Sequence, residues 1–275
     1  MYFYFIFPYP VRVFPPLLLI TNPDHEDAAE DRELACFLSD TFDVTLGSPT
    51  MPDAAAFPRW LIRNAWPNRM FVKAFERLKE IADRTGIRVY NPFDADGLKE
   101  DKSYLAELWQ EKFPVIPTVL SANDICRLPK SDRYVVKPID GCSSEGVRTI
   151  SKDSFATISP QEIIQPLIDF LHEVSFYFID DVLVYALRSA GSKQRWDLTE
   201  FTPSTSDLAW ASRFVAWNAM PYGLQRIDAC RLADGSLLLM EIEDQMPVLS
   251  LDVLTSKTLA KFVIQFKSSL LRHLR

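Results

Sequence analysis

Three carboxylates and an arginine near the C-terminus stand at spacings that could bind a cation. Two runs of alternating apolar and polar residues flank Asp-Gly at positions 234–235, the dipeptide that most favours a two-residue hairpin turn. With that turn, Asp228 pairs with Glu241. Arg226 pairs with Glu243 two residues further on, and the four side chains share one face. The opposite, core-facing side is then predicted to carry Ile227, Ala229, Leu238, Met240 and Ile242.

Paired carboxylates of this kind repel one another unless a cation lies between them. Oxygen ligands suit Mg2+, which typically takes one or two carboxylates together with phosphate oxygens. The alternative is a solvated hairpin face on which Arg226 simply pairs with Glu243, and an isolated acidic hairpin favours that interpretation. The presence of a second motif favours the metal site.

The second motif is an apolar strand that carries a lysine and leads into a loop of small residues, at positions 134–147. Backbone amides of such a loop can surround phosphate oxygens, and Lys137 supplies a positive charge. The segment is not a Walker loop, because Val147 and Arg148 stand where that motif requires Lys and Ser or Thr. Taken alone, the segment is equally consistent with a plain glycine-containing hairpin.

Basic residues follow in a third segment. A hairpin that turns at Asp180-Asp181 pairs Glu173 with Arg188, although Asp-Asp is a weaker turn signal than Asp-Gly. Residues 191–196 then form a basic loop in which Arg195 could meet a transferring phosphoryl group. An ordinary exposed loop is the alternative interpretation.

Composition excludes several classes of protein. The chain has 275 residues, 48% hydrophobic and 24% charged, which is ordinary for a globular protein. The net charge is −7 and no long run of like charges occurs, which argues against a nucleic-acid or membrane-surface partner. The four cysteines and three histidines show no zinc-ligand spacing. We expect free thiols and a cytoplasmic location.

The first twenty residues are almost wholly apolar, so a signal peptide or a membrane anchor has to be considered. Arg12 and four prolines interrupt this stretch, and no basic segment or small-residue cleavage site accompanies it. We therefore interpret residues 1–16 as an extension of uncertain structure that does not span a membrane.

Alternating strand and helix patterns over the first ninety residues predict an open α/β layer. Helical spacing covers residues 27–42 and 68–85, the second helix ending at Gly86. The predicted strands are Leu17–Thr21, Asp43–Gly47, Trp60–Ile62 and Ile87–Tyr90. Arg63, Asn64 and Trp66 follow the third strand, where open sheets place ligand contacts, and Arg63 could hold a substrate carboxylate there. A surface arginine that closes a strand is the alternative.

The remainder of the chain reads as a helix followed by a mainly β region. Residues 99–112 have helical spacing, and residues 114–119 are extended. Strands are predicted at Tyr134–Ile139, Val147–Ser151 and Glu162–Gln165, then two hairpins separated by a helix over Ser206–Ala219. We expect three domains, at residues 1–95, 96–165 and 166–275.

The order of these motifs resembles the ATP-grasp superfamily, especially its glutathione synthetase-like and ribosomal-modification-type ligases. The resemblance runs from about residue 102 to residue 251. Lys102 ahead of Pro117-Thr118 is similar to the first nucleotide lysine of the family, and Lys137 is similar to the second. The run Ile163–Ile168 resembles the strand whose backbone binds adenine. The first ninety residues share only the α/β pattern of the family.

The resemblance implies an α/β (α+β) ATP-grasp fold and a set of site residues. Nucleotide contacts are expected at Lys102, Lys137, Asp140, Gly141, Ser143, Ser144, Gln165, Pro166, Leu167 and Glu173. Arg188 and Arg195 would hold the phosphorylated intermediate, Arg226 is a further catalytic candidate, and the metal ligands would be Asp228, Glu241 and Glu243. Two departures from the family pattern stand out: Glu243 replaces the usual asparagine, which could favour a second ion or a different metal, and Cys142-Ser143-Ser144 replaces a glycine-rich loop.

The expected activity is that of an ATP-dependent carboxylate–amine ligase, which forms an amide through an acyl-phosphate and releases ADP and phosphate. Its cofactors would be ATP and Mg2+, with Mn2+ as the alternative ion, and its substrates a small carboxylic acid and an amine such as an amino acid or peptide. An ATP-grasp kinase acting on a small hydroxyl compound and a non-catalytic ATP-binding protein are the alternatives. No nucleic acid or membrane partner is expected, and assembly into a homo-oligomer is left open.

Overall fold

The computed structural model describes residues 14–22, 28–63, 71–93, 101–141, 144–244 and 247–275. The chain divides into two compact units, one formed by Met1–Tyr90 with Leu270–Arg275 and the other by Asn91–Ser269. The division into three domains at residues 1–95, 96–165 and 166–275 stays a prediction. No helix in the described part of the chain is long and apolar enough to cross a membrane.

The first unit contains a four-stranded parallel sheet with the strand order β2-β1-β3-β4. Its strands are β1 (Pro16–Ile20), β2 (Asp43–Gly47), β3 (Arg59–Ile62) and β4 (Arg88–Tyr90). Leu17–Ile20 are completely buried, as expected for an inner strand with covered faces. The predicted open α/β layer is confirmed, with each predicted strand within one residue of its bounds.

Two helices connect these strands, and the first is shorter than predicted. The helix α1 spans Ala28–Leu38, and α2 spans Val72–Thr85. The described part of the first predicted helix, residues 28–42, is helical only as far as Leu38. The predicted end of the second at Gly86 is confirmed, because Gly86 is left-handed (φ 69°) and its N–H donates to the Ala82 carbonyl oxygen at 2.8 Å.

Arg63 directly follows β3, but its guanidinium is buried, with 1% of the side chain exposed. Its Nη2 lies 2.8 Å from Glu30 Oε1, and its Nε lies 3.2 Å from Asp31 Oδ1. The Thr21 hydroxyl donates to the same Asp31 carboxylate. The proposed role of Arg63 in holding a substrate carboxylate is therefore not supported, because two carboxylates of α1 already occupy the guanidinium. Asn64 and Trp66, the other substrate candidates, lie outside the described residues.

The second unit contains two antiparallel sheets. The smaller sheet has the order β6-β5-β7, with β5 (Arg133–Pro138), β6 (Arg148–Ser151) and β7 (Glu162–Pro166). The larger sheet has the order β10-β9-β8-β11-β12, with β8 (His172–Ile179), β9 (Val182–Gly191), β10 (Gln194–Glu200), β11 (Leu224–Arg231) and β12 (Leu237–Glu243). The three strands of the smaller sheet confirm the predicted ones to within a residue.

The helix α3 (Tyr104–Gln110) and the helix α4 (Thr205–Asn218) pack their apolar residues against one face of the larger sheet. The core between them includes Leu105, Phe214, Phe176, Ile227 and Ile242. The helix α4 confirms its prediction within one residue, whereas α3 is shorter than the predicted 99–112. The C-terminal helix α5 (Ser256–His273) has no counterpart in the predictions. The opposite face of the larger sheet carries Arg226 and Asp228 at one place and the buried Tyr177 and Tyr185 beside them, with Phe262 of α5 packed against Tyr185.

The acidic hairpin has the predicted pairing at Arg226 and Asp228 but a different turn from the predicted one. Asp228 pairs with Glu241 and Arg226 pairs with Glu243, as predicted. The turn is a three-residue loop at 233–235, since the Leu232 N–H donates to the Ser236 carbonyl oxygen, and Gly235 is left-handed (φ 85°). A bulge between β11 residues 228 and 229 adds one residue on β12 and restores the register. The core positions shift accordingly, so that Leu237 and Leu239 are buried in place of the predicted Leu238 and Met240.

The other hairpin turns at Asp180-Asp181, as predicted, but the pairing of its strands away from the turn differs from the prediction. A bulge near Tyr177 moves the pairing by one residue, and Val174 rather than Glu173 lies opposite Arg188. Because neighbouring residues of a strand point to opposite faces, this shift places Arg188 on the opposite face of the sheet from Asp228. The predicted Glu173–Arg188 pair is therefore wrong.

Replacing Arg63 should destabilise the protein rather than weaken substrate binding alone. We expect Arg63→Ala to lower the free energy of unfolding by about 3–5 kcal/mol, because the carboxylates of Glu30 and Asp31 would lose the charge of the buried guanidinium. Urea unfolding followed by circular dichroism measures this. Arg77→Ala, which removes an exposed arginine bonded to the Pro52 carbonyl oxygen, is the control and should change stability by less than about 0.5 kcal/mol. Unchanged stability with weakened substrate binding in Arg63→Ala would restore the substrate role.

Candidate functional site

The polar face of the β11–β12 hairpin carries the three acidic side chains, and Arg226 joins two of them. Arg226 Nη2 lies 2.9 Å from Asp228 Oδ2 and 3.0 Å from Glu243 Oε1. Its Nη1 donates to the Val248 carbonyl oxygen at 2.8 Å. Asp228 also accepts a hydrogen bond from the Ser175 hydroxyl on β8, at 2.6 Å. The solvated-face alternative anticipated the Arg226–Glu243 pair, but Arg226 is largely buried, with 15% of its side chain exposed.

Lys102 reaches the third carboxylate from just before α3. Its Nζ lies 2.7 Å from Glu241 Oε1 and donates a hydrogen bond to the Gly141 carbonyl oxygen. The Lys102 backbone N–H is bonded to the Ile139 carbonyl oxygen at 2.9 Å, which holds this segment against the end of β5. One ammonium group therefore links the acidic hairpin of the larger sheet to the small-residue loop of the smaller sheet.

Lys137 on β5 belongs to the same charged cluster. Burial lowers the pKa of its ammonium group, and the Glu241 carboxylate opposes this effect. The positive charges of Lys102 and Arg195 lower the pKa further. The two lysines that sequence analysis placed in separate motifs therefore lie within electrostatic range of one another and of the same glutamate.

Arg195 was predicted to lie in a loop but is a residue of β10. Its Nε is 2.6 Å from Glu173 Oε1, and its Nη1 donates to the Ser144 hydroxyl at 2.9 Å. Glu173 pairs with Cys230 of β11, so it shares the face of Asp228. Burial raises the pKa of Glu173, although Arg195 acts to lower it. Arg195 thus connects the acidic face to the small-residue loop at Ser144, whereas Lys102 connects them at Gly141.

The small-residue loop turns back tightly on Pro138. Gly146 is left-handed (φ 71°), and a Cβ atom added there would lie 2.7 Å from Pro138 Cγ, so a side chain would be both strained and crowded. Ser144 is also left-handed (φ 62°). Asp140 is exposed at the start of the loop. Ser143 and Cys142 lie outside the described residues, so the predicted contact of Ser143 stays a prediction.

The predicted adenine strand is β7, and its polar groups have partners within the protein. Gln165 is buried, and its Nε2 donates to the Thr118 hydroxyl at 2.8 Å. The Leu167 N–H donates to the Arg133 carbonyl oxygen at 3.0 Å. Pro166 is buried between them. The roles of these residues towards a nucleotide stay predictions.

The structure separates Arg188 from the other two predicted arginines, Arg195 and Arg226. It is exposed and shares its face with Val174 and Ala229, both of which are buried in the apolar core. The cause is the bulge in β9, which no local sequence signal announces. Of the three predicted arginines, Arg195 and Arg226 therefore contact carboxylates of the acidic face.

Two supporting residues were missed by sequence analysis. The Asn91 side chain accepts from the Leu224 N–H at 2.9 Å and donates to the carbonyl oxygens of Leu224 and Asp244. The Tyr104 hydroxyl accepts from the Ile242 N–H at 2.6 Å. Both hold the backbone next to the acidic residues. Neither has a sequence signal, because each acts through contacts between distant segments, although Tyr104 lies two residues after the predicted nucleotide lysine.

The acidic residues do not form a complete metal site by themselves, but they suit a divalent ion that is also held by a nucleotide. No group of three histidine, cysteine or acidic side chains close enough to hold a metal occurs among the described residues. Arg226 binds Asp228 through both carboxylate oxygens. Glu241 and Glu243 nevertheless supply the two carboxylates that Mg2+ commonly uses beside phosphate oxygens. The donor chemistry therefore suits Mg2+.

Comparison with known proteins identifies the fold. Residues 99–188 match the model of the ATP-grasp domain family. The cycloserine biosynthesis protein DcsG of Streptomyces lavendulae is 26% identical over 227 residues, which cover 68% of this chain and 74% of that protein.

Solved structures resemble the chain over nearly its whole length. The D-cycloserine synthetase DcsG has a TM-score of 0.73 at 21% identity, covering 92% of this chain and 99% of that chain. The ATP-grasp ligase PsnB, complexed with a phosphomimetic precursor variant, Mg and ADP, has a TM-score of 0.67 at 13% identity, covering 96% and 100%. D-alanine–D-alanine ligase from Bacillus anthracis with ATP has a TM-score of 0.68 at 14% identity, covering 94% and 98%.

The charge balance of the site predicts an unusual pH dependence of stability. Burial raises the pKa of Glu243 to about 7; Arg226 opposes this, and Glu241 and Asp228 add to it. The folded protein therefore binds more protons than the unfolded chain between the ordinary value of 4.5 and about 7, so stability falls as pH rises through that window.

Glu243→Gln should remove this loss in metal-free buffer. From about pH 5 to about pH 8 its stability should rise relative to the wild type by on the order of 1–2 kcal/mol, a reduced figure because the side chain is 31% exposed. Urea unfolding at both pH values measures it. Glu162→Gln is the control, because the hydrogen bond from Arg148 lowers the pKa of the Glu162 carboxyl below 4.5. Its stability relative to the wild type should therefore be the same at about pH 5 and about pH 8. A constant difference for Glu243→Gln would contradict the prediction.

Proposed function

Because the chain has the ATP-grasp fold, we propose that it is an ATP-dependent carboxylate–amine ligase that forms an amide bond through an acyl-phosphate intermediate. The observation that carries this proposal is the convergence of two lysines on one glutamate. Lys102 contacts Glu241 at 2.7 Å, and the charge of Lys137 interacts with the same carboxylate. Two cations beside an acidic hairpin suit a polyphosphate accompanied by a divalent ion.

The proposed chemistry needs charge and placement more than a titrating base. A carboxylate oxygen of the first substrate attacks the γ-phosphorus of ATP, and the bond from that phosphorus to the bridging oxygen of ADP breaks. The amine then attacks the acyl carbon, phosphate leaves with its bonding electron pair, and the amine nitrogen loses a proton. Lys102 and Lys137 would hold phosphate oxygens, and Arg195 and Arg226 would offset the charge of the transferring group.

Mg2+ would be held by Glu241 and Glu243, with Asp228 able to join if Arg226 releases it. The ion would supply positive charge to the phosphate oxygens. The same oxygen ligands would accept Mn2+. A structure of the ATP-grasp ligase PsnB contains Mg and ADP, which supports the choice of ion and nucleotide for this chain.

The relatives support amino-acid-sized or peptide substrates. The similar proteins include a D-cycloserine synthetase, a D-alanine–D-alanine ligase and an ATP-grasp ligase complexed with a precursor peptide. For this chain we infer a small carboxylic acid and an amine, one of which is an amino acid or a peptide. A cytoplasmic location and assembly into a homo-oligomer stay predictions.

Purified protein with Mg2+ and ATP should release ADP only when a carboxylate and an amine are both present. The panel would pair D-alanine, other amino acids, small carboxylic acids and short peptides, and coupled detection of ADP would measure turnover. Glu241→Gln should reduce the rate at least about 100-fold, because it removes charge at the point where Lys102 and the ion meet. ADP release with a hydroxyl compound alone would favour the kinase, and a rate unchanged in Glu241→Gln would contradict the proposed site.

Lys137→Met should lower kcat/KM for ATP by about 10²–10³-fold, because the variant keeps the length of the side chain but removes its positive charge. Steady-state kinetics at varied ATP concentration measure this. Lys130→Met is the matched control, since Lys130 is an exposed lysine of the same unit, and its kcat/KM should stay within about twofold of the wild type. Equal losses in both variants would show that Lys137 has no particular role.

A further inference from the structure

The outer edge of β12 is closed by a short backbone bridge at Leu239 and by a side chain at Ile242. β12 is the last strand of the larger sheet, so its outward N–H groups need partners from other segments. The Leu239 N–H donates to the Pro114 carbonyl oxygen at 2.9 Å. The Ile242 N–H donates to the Tyr104 hydroxyl oxygen at 2.6 Å. This second contact lies between the two carboxylates proposed to hold the divalent ion.

The bulge in the hairpin explains why Ile242 presents its N–H at this edge. In a regular strand the outward N–H groups recur at every second residue, so Leu239 would be followed by Glu241. One extra residue on β12, opposite the junction of Asp228 and Ala229, moves the next outward N–H to Ile242. The Tyr104 hydroxyl therefore occupies a place that the local backbone geometry creates.

Tyr104 is itself held in a fixed position. It is 6% exposed within the core cluster, and its ring centroid is 5.9 Å from that of Trp217 on α4. Its hydroxyl oxygen also lies 3.5 Å from the Ile242 carbonyl oxygen. Lys102, two residues earlier, contacts Glu241. The start of α3 thus holds β12 at two adjacent residues: Tyr104 binds the backbone of Ile242, and Lys102 binds the side chain of Glu241.

We propose that Tyr104 is a positioning residue for divalent-ion binding, whose hydroxyl fixes the Ile242 backbone and so sets the separation of the Glu241 and Glu243 carboxylates. This inference rests on the proposed function. Removal of the hydroxyl leaves the Ile242 N–H without its partner at the sheet edge, and the two carboxylates lose a common anchor. The nucleotide contacts proposed for Lys102 and Lys137 do not depend on this hydrogen bond.

Tyr104→Phe tests the proposal with ADP and Mg2+ as probes. Calorimetry should show ADP affinity in the presence of Mg2+ reduced about three- to tenfold, with ADP affinity in a chelator unchanged. Hydrogen exchange should be at least about tenfold faster at the Ile242 amide and unchanged at the Leu239 amide. Binding of ADP with Mg2+ to the wild type should slow exchange at Ile242, a result that needs no variant.

Ser269→Ala is the control, because it removes a hydroxyl that is 2% exposed and donates to the Asp180 carboxylate at 2.9 Å, away from β12. It should alter neither the Mg2+ dependence of ADP affinity nor exchange at Ile242. Equal weakening of ADP binding with and without Mg2+ in Tyr104→Phe would overturn the proposal, as would unchanged exchange at Ile242 in both experiments. Failure of the wild type to bind ADP with Mg2+ would instead overturn the proposed function and, with it, this inference.

Discussion

The charge balance on one face of the β11–β12 hairpin is the constraint on which the site depends. Asp228, Glu241 and Glu243 lie together, and the positive charges that touch them are Arg226 and Lys102. The raised pKa of Glu243, about 7, means that these two cations do not fully compensate the repulsion and the burial. Such a face favours an additional positive charge, and a divalent ion carried by a polyphosphate would provide it without requiring a complete cage of protein ligands.

The same constraint explains why distant segments meet here. Lys102 precedes α3, Lys137 lies on β5 and Arg195 lies on β10, yet the charge of each interacts with a carboxylate of the larger sheet. Lys102 and Arg195 also bond to Gly141 and Ser144, at the two described ends of the small-residue loop. These contacts tie both described ends of the loop to residues that contact the acidic face.

Local patterns predicted most elements, since strands, caps and turn dipeptides depend on neighbouring residues. The end of α2 at Gly86 and the helix over Ser206–Ala219 are examples. Registers were less predictable, because bulges arise from packing between strands. In the acidic hairpin a three-residue loop and a bulge cancel, so Asp228 still faces Glu241 for a reason that differs from the predicted one. Likewise the position of Arg63 at a strand end was predicted, but its partners on α1 depend on how the chain folds back.

Arg188 and Arg195 show what decides whether an arginine can serve the site. Both resemble family arginines in their order along the chain, and both lie on strands of the larger sheet. One inserted residue in β9 is enough to turn Arg188 to the face of Val174, whereas Arg195 contacts Glu173 on the face of Asp228. Assignment of a strand residue to a site therefore requires knowing which face of the sheet it occupies as well as its place in the motif order. A bulge changes that face for every residue beyond it. By that criterion Arg195 and Arg226, but not Arg188, lie where their proposed role at this face requires.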